Sequence, residues 1–88
     1  MLQDLYKIQV MKDILHRPEQ PEIVKTFIEK LLLNKHDEQI LIDKYCSPAV
    51  DKILANNLKI SMRQYYKLLN IVHIRAYDAM KRQIRYKI

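Results

Sequence analysis

Apolar residues recur three or four positions apart through the first third of the chain, which is typical of amphipathic helices. This spacing predicts a first helix over residues 2–16, followed by a connector at residues 17–20. A second helix is predicted to begin at Pro21, because a proline in the first helical turn lacks only an N–H that has no partner there. The residues expected on its apolar face are Ile23, Val24, Phe27, Ile28, Leu31 and Leu32.

The middle of the chain is expected to form two short helices. The first is predicted over residues 37–45, after a polar turn at residues 34–36. The second is predicted to begin with Ser47 and Pro48, because serine accepts an N–H bond as N-cap and proline suits the first helical position. It is expected to end near Asn57. The inward residues expected from the two helices are Ile40, Leu41, Tyr45, Val50, Leu54 and Ala55.

The last predicted helix begins at Met62 and continues to about Tyr86, since neither proline nor glycine interrupts it. Ser61 and Gln64 have the spacing of a capping box, in which each side chain bonds to the backbone N–H of the other residue. The inward residues expected here are Tyr65, Leu69, Val72, Ala76 and Met80. The whole pattern therefore predicts an all-α fold of about five helices, with a long last helix.

Composition removes several classes of protein. A chain of 88 residues is expected to form one domain, and it contains no glycine, so it lacks phosphate-cradling loops and dinucleotide fingerprints. Its longest apolar runs have three residues, so no membrane span is expected, and a start that carries Asp4 and no long apolar stretch predicts no secretory signal. The single cysteine, Cys46, has no partner for an internal disulfide and suits a reducing compartment, so a cytoplasmic location is expected.

The residues that usually carry chemistry form no catalytic or metal-binding pattern. His16, His36 and His73 have no metal-ligand spacing with Cys46, so neither a metal nor another cofactor is expected. Ser61 is better explained as a helix cap than as a nucleophile, because no nearby histidine or glycine loop would activate it. An enzyme is therefore not expected. His73 is expected to pack or to be solvated, and Cys46 to be a small half-buried apolar residue.

Charge is divided unevenly between the two halves of the chain. Residues 1–44 contain seven Lys/Arg and eight Asp/Glu, a net charge of −1. Residues 45–88 contain nine Lys/Arg and two Asp/Glu, a net charge of +7. A basic half joined to a neutral half is typical of a module that docks on a polyanion through one face.

Two helices joined by a tight turn, the second basic and opened by a capped serine, are typical of a helix-turn-helix. In this motif the exposed N-terminal side chains of the second helix enter the major groove of double-stranded DNA. The side chains expected to contact bases are Met62, Arg63, Gln64, Tyr66, Lys67 and Asn70. Arg63 and Lys67 are the strongest candidates, since arginine can pair with guanine and lysine neutralises phosphate. The side chains expected to make weaker phosphate contacts are Lys59, Lys81, Arg82 and Arg85.

Each of these assignments has a plainer alternative. The exposed stripe could be an ordinary solvated helix face, Gln64 is already explained by the capping box, and Tyr66 could contact a protein. The basic residues near the end of the chain could grip phosphates or could complement the negative end of the long helix. Ile84 and the apolar residues after it could form a homodimer contact or pack against the start of the first helix.

Residues 53–61, Ile-Leu-Ala-x-x-Leu-x-Ile-Ser, resemble the helix-turn-helix of the fourth regions of sigma factors. Residues 61–66, Ser-x-x-x-Tyr-Tyr, with Ala76 downstream, are closer still to the phage late-gene regulators related to the autolysin regulatory protein ArpU. The resemblance covers roughly residues 37–80 and implies sequence-specific DNA binding and control of transcription. A turn position that these proteins usually fill with glycine is Lys59 here, which predicts strain if the backbone is left-handed.

Residues 1–34 resemble no family, so the sequence predicts one helical domain made of a helical pair of unassigned role and a DNA-binding part over residues 37–88. The first half carries almost no net charge and contains Phe27 and paired leucines that could offer an apolar face. Sigma fourth regions dock on RNA polymerase. A second hypothesis is therefore a helical interaction module that binds such a partner without contacting DNA.

Overall fold

The structure is a computed structural model that describes the backbone of residues 2–87 and the side chains of residues 3–84. Within these bounds the chain forms five α-helices and no strand. The helices are α1 (Leu2–His16), α2 (Pro21–Lys30), α3 (Lys35–Cys46), α4 (Asp51–Asn57) and α5 (Met62–Lys87). The all-α fold predicted from the apolar spacing is therefore confirmed.

The long helix α5 is the centre of the fold. It packs against α1, α3 and α4, while α2 packs on α3. One core cluster contains residues of all five helices, so α1 and α2 share a core with the C-terminal helices. The buried core of α5 consists of Tyr65, Leu69, Val72, Ala76 and Ala79, with Met80 half-buried against it. The inward stripe predicted for this helix is confirmed.

Three residues that were expected on the inward faces of α2 and α4 are exposed. Ile23 is 53% exposed because α2 buries a narrower stripe, made of Val24, Ile28 and Leu31. Leu32 is 84% exposed because α2 ends before it, and its left-handed backbone (φ 57°) takes the chain out of the helix. Val50 is 61% exposed because it precedes α4 instead of lying within it.

The predicted starts of α3 and α4 were both wrong by a few residues. α3 begins at Lys35, because the Asn34 side chain accepts a bond from the Asp37 N–H at 2.8 Å and so caps the helix earlier. Ser47 is not the N-cap of α4: it is the C-cap of α3, with the extended backbone (φ −109°, ψ 146°) that the residue before a proline prefers, and Val50 is the N-cap of α4. Its hydroxyl accepts a bond from the Ala49 N–H at 3.1 Å, and α4 begins only at Asp51.

Candidate nucleic-acid interface

Four residues, 58–61, connect α4 to α5. Lys59 has a left-handed backbone (φ 60°), and its N–H donates to the Asn56 carbonyl at 3.0 Å. The Ile60 N–H donates to the Ala55 carbonyl at 3.1 Å, which completes the Schellman arrangement that ends many helices. The strain expected at Lys59 is therefore present, at a cost of about 1 kcal/mol relative to glycine.

A reciprocal cap opens α5. The Ser61 hydroxyl accepts a bond from the Gln64 backbone N–H at 3.1 Å, and the Gln64 side-chain Oε1 accepts one from the Ser61 backbone N–H at 2.9 Å. The predicted capping box is confirmed. Because the side-chain oxygen of Gln64 is bonded within the cap, a contact of that atom with a base would require the cap to open.

The outward face of α5 carries four of the predicted site residues. Arg63, Tyr66, Lys67 and Asn70 are all exposed and follow one another at helical spacing. The ion pairs between described residues do not involve Arg63 or Lys67. We call these four residues the outward stripe.

Met62 does not belong to that stripe. It is half-buried and packs against the core, contrary to the expectation that it faces outward. The reason is its position: it precedes Tyr65 by three residues and Leu69 by seven, which places it on the inward side of α5. A base contact by Met62 would have to displace this packing.

Tyr66 is tied to the neighbouring helices through Asp51. Its hydroxyl donates to one Asp51 carboxylate oxygen at 3.4 Å, and the Lys44 ammonium donates to the other at 2.8 Å. These contacts join the end of α3, the first turn of α4 and the second turn of α5. Tyr66 is still 48% exposed, so its ring edge stays accessible.

A cavity of about 140 Å³ lies between α1, α3 and α5, beside the outward stripe. Its polar lining consists of Lys12 and His16 from α1, Lys44 and Tyr45 from α3, and Tyr66 and Asn70 from α5. We call it the basic cavity. Sequence reasoning missed Lys12, His16, Lys44 and Tyr45 as site residues, because no spacing along the chain relates them to α5.

His73 forms the inner wall of the basic cavity and is almost fully buried. Its Nδ1–H donates to the Leu69 carbonyl at 2.6 Å, and its Nε2 accepts from the Tyr45 hydroxyl, an assignment that follows from the partners. Burial lowers the pKa of His73, and the nearby Lys12 and Lys44 lower it further, against the opposing effect of the Leu69 bond. His73 is therefore a packed, neutral histidine. Burial also raises the pKa of the Tyr45 hydroxyl.

The cations predicted near the end of α5 lie far from the outward stripe. Lys81 is eighteen residues beyond Arg63, or about 27 Å along a helix, and its ammonium lies 5.8 Å from the centre of the Tyr77 ring. Arg82 is exposed beside it, and Lys59 is exposed in the turn before α5. Arg85 falls outside the described side chains.

Other kinds of site receive no support from the described residues. Their His, Cys, Asp and Glu side chains form no group of three or more that could hold a metal ion. From residue 2 to residue 87, no helix combines the length and apolarity needed to cross a membrane. Cys46 is half-buried, and burial raises the pKa of its thiol above the ordinary value, which disfavours the thiolate.

Comparison with known proteins gives no relative: no family model, no curated protein and no solved structure matches the chain. The resemblance of residues 53–66 to sigma fourth regions and to ArpU-related regulators therefore stays a prediction. The assignment of function depends on the geometry and charge of the residues around α5.

Proposed function

We propose that this protein is a sequence-specific DNA-binding regulator of transcription that inserts the first turns of α5 into the major groove. The observation that carries the proposal is the short α4–α5 connection, closed by a helix-ending motif at Lys59 and a capping box at Ser61, in front of an exposed cationic stripe. This combination suits a helix-turn-helix, in which the turn sets the direction of the recognition helix. The proposed resemblance to sigma fourth regions and ArpU-related regulators agrees with it.

The residues of the outward stripe have distinct proposed roles. Arg63 can donate two bonds to guanine O6 and N7, and Lys67, one turn further on, can pair with a phosphate or a guanine. Asn70 has the donor and acceptor that adenine requires, and Tyr66 can contact a thymine methyl group. Gln64 contributes mainly by capping α5, and Met62 by supporting its first turn.

Electrostatics favours a nucleic acid over a neutral partner. The C-terminal half, which contains α4, α5 and the turn between them, carries a net charge of +7. Binding of such a surface to duplex DNA releases counterions, so affinity should fall as salt increases. Lys59 in the turn is the described lysine best placed to add a phosphate contact next to the stripe.

The test compares two double variants that remove the same charge. Arg63→Ala with Lys67→Ala removes both cations of the stripe, whereas Lys30→Ala with Lys35→Ala removes two exposed cations near the opposite end of α5, where Gln83 bonds to the Lys30 carbonyl. Fluorescence anisotropy against a duplex selected from a randomised library would be measured at about 50 and 200 mM salt. We expect at least a tenfold loss of affinity in the first variant only, with the Tm unchanged in both.

Two results would contradict the proposal. If the Arg63/Lys67 variant and the wild type bind the duplex with equal affinity, the assignment of α5 to the major groove is wrong. A wild-type affinity that does not change between the two salt concentrations would exclude a phosphate-contacting face.

A second candidate function is a helical module that binds RNA polymerase or a similar partner without contacting DNA. The observation in its favour is an apolar surface around Phe27, which lines two cavities of about 410 and 280 Å³ on α2 and between α2 and α5. Ile23 and Ile84, one on each cavity, are about half exposed. Failure to bind any duplex at the lower salt, together with retention on purified RNA polymerase that Phe27→Ala abolishes, would favour this function. A homodimer through Ile84 would appear instead as a concentration-dependent mass in solution.

A further inference from the structure

We propose that the basic cavity between α1, α3 and α5 is a phosphate-binding site. The inference rests on the proposed function as far as the source of the phosphate is concerned, since a backbone phosphate of duplex DNA bound to α5 would lie beside the cavity. The site itself is assigned from the residues that line the cavity. Because Lys12 and His16 are among them, α1 takes part in phosphate binding.

The lining provides hydrogen-bond donors and no carboxylate. Lys12 and His16 are exposed at the rim, and Asn70 approaches from α5. Lysine, histidine and the asparagine amide can all donate to phosphate oxygens. The Tyr66 hydroxyl already donates to Asp51, and the charge of Asp51 is neutralised by Lys44 at 2.8 Å.

The cations of the cavity are only partly neutralised by the protein. Lys12 is absent from the ion pairs between described residues, and His16 lies edge-on to Tyr45 with ring centres 4.9 Å apart. Burial is the main cause that lowers the pKa of His73 in the inner wall, and the charges of Lys12 and Lys44 lower it further. An anion would therefore enter a positive, donor-rich site.

The size of the cavity suits a small tetrahedral anion. A volume of about 140 Å³ is enough for one phosphate group. The buried His73 and the half-buried Tyr45 close the inner end, so the ligand must bind from the rim, where Lys12 and Asn70 are exposed.

The position of the cavity connects it to the outward stripe. Tyr66 and Asn70 belong to both, since they face the cavity on one side and follow Arg63 at helical spacing on the other. A duplex that received α5 in its major groove would bring one of its strands past these residues. Lys12, on α1, then contacts that strand from outside the helix-turn-helix.

The experiment compares Lys12→Ala with Lys30→Ala, which removes one exposed lysine remote from the cavity. In the DNA arm, affinity for the selected duplex is measured against salt. Loss of one phosphate contact should weaken binding several-fold on all sequences and reduce the slope of log K against log salt by about 0.9, in Lys12→Ala only. That result supports the site and identifies DNA as the source of the phosphate.

In the second arm, inorganic phosphate is added to the protein without DNA, with sodium chloride at matched ionic strength as control, and amide and side-chain NMR shifts of Tyr66 and Asn70 are followed. Saturable shifts that Lys12→Ala removes and Lys30→Ala retains support the site with free phosphate as a ligand, even if the wild type binds no duplex and the proposed function fails. An unchanged salt slope in Lys12→Ala together with no phosphate-specific shift in the wild type overturns the proposal.

Discussion

One nitrogen of the Arg75 guanidinium, in the middle of α5, lies 3.2 and 3.1 Å from the two carboxylate oxygens of Asp37, at the start of α3. The Asp37 side chain is almost completely buried, whereas that of Arg75 is 55% exposed. The Asn34 amide also donates to Asp37, at 3.2 Å. A buried carboxylate is thus held between the first turn of one helix and the side of another, which fixes the position of α3 on α5.

Removal of the cation should destabilise the fold, because it leaves the buried Asp37 carboxylate with fewer partners. Breaking a fully buried ion pair costs about 3–5 kcal/mol, but solvent screens the exposed Arg75, and Asn34 and the helix N-terminus remain. We expect Arg75→Ala to lower the free energy of unfolding by about 2 kcal/mol, measured by urea denaturation. Arg63→Ala, an exposed arginine on the same helix, should change it by less than about 0.5 kcal/mol. Equal effects of the two variants would show that the Asp37–Arg75 pair contributes nothing.

Stability should depend on pH through His73. Burial keeps the pKa of His73 in the folded chain below the ordinary value of 6.5, which applies to the unfolded chain. At a pH between the folded and the unfolded pKa, the unfolded chain therefore binds more protons than the folded chain. The contribution of the neutral histidine is therefore complete above about pH 6.5 and is lost as the pH falls below it. We expect the Tm to decrease from pH 7.5 to 5.5, and we expect this decrease to be smaller in His73→Gln than in the wild type.

His36 provides the control for the pH experiment. It is exposed, with its Nδ1 3.8 Å from a carboxylate oxygen of Asp37, so it lacks the burial that acts on His73. The variant His36→Gln should therefore keep the whole acid-induced decrease in Tm. If His73→Gln and the wild type lose the same Tm on acidification, the neutral state of His73 is not what sets the pH dependence.

The boundaries of α1 and α5 and the Ser61–Gln64 cap were predictable because they depend on local spacing. Apolar periodicity and a capping box each involve residues that are only three or four positions apart in the sequence. The Asp37–Arg75 pair joins residues 38 positions apart, and nothing in the spacing of either helix indicates it. The start of α4 was missed for a different reason: the motif Ser47-Pro48 favours a cap, and the Ser47 hydroxyl does accept a bond from the Ala49 N–H, but the helix begins only after Val50.

The candidate site divides in the same way. The outward stripe follows from the register of α5, so Arg63, Lys67 and Asn70 could be predicted from the sequence as exposed. The basic cavity could not, because Lys12 lies on α1 and meets α5 only through packing of the core. The first helix, α1, thus has a place beside the site that no motif in residues 1–34 indicates.

Tyr65 offers a test of polar burial in the core. Its side chain is 1% exposed, its hydroxyl has no hydrogen-bond partner among the described residues, and burial raises its pKa to about 12. A buried neutral hydroxyl without a partner costs about 1–3 kcal/mol. We expect Tyr65→Phe to raise the free energy of unfolding by about 1 kcal/mol in urea denaturation. Tyr45→Phe, which removes the hydroxyl that donates to His73, should lower it instead. Destabilisation by Tyr65→Phe would mean that the hydroxyl is satisfied.

Replacing either of the two residues with left-handed backbones by glycine, which the chain lacks, should stabilise the fold. Leu32 (φ 57°) follows α2 and Lys59 (φ 60°) follows α4, and either change to glycine should raise the free energy of unfolding by about 0.5–1 kcal/mol. Their effects on DNA should differ. Lys59→Gly removes a proposed phosphate contact, so the more stable protein should bind the selected duplex several-fold more weakly, whereas Leu32→Gly should bind it unchanged. If Lys59→Gly binds the selected duplex as tightly as the wild type, Lys59 makes no phosphate contact and serves only to end α4.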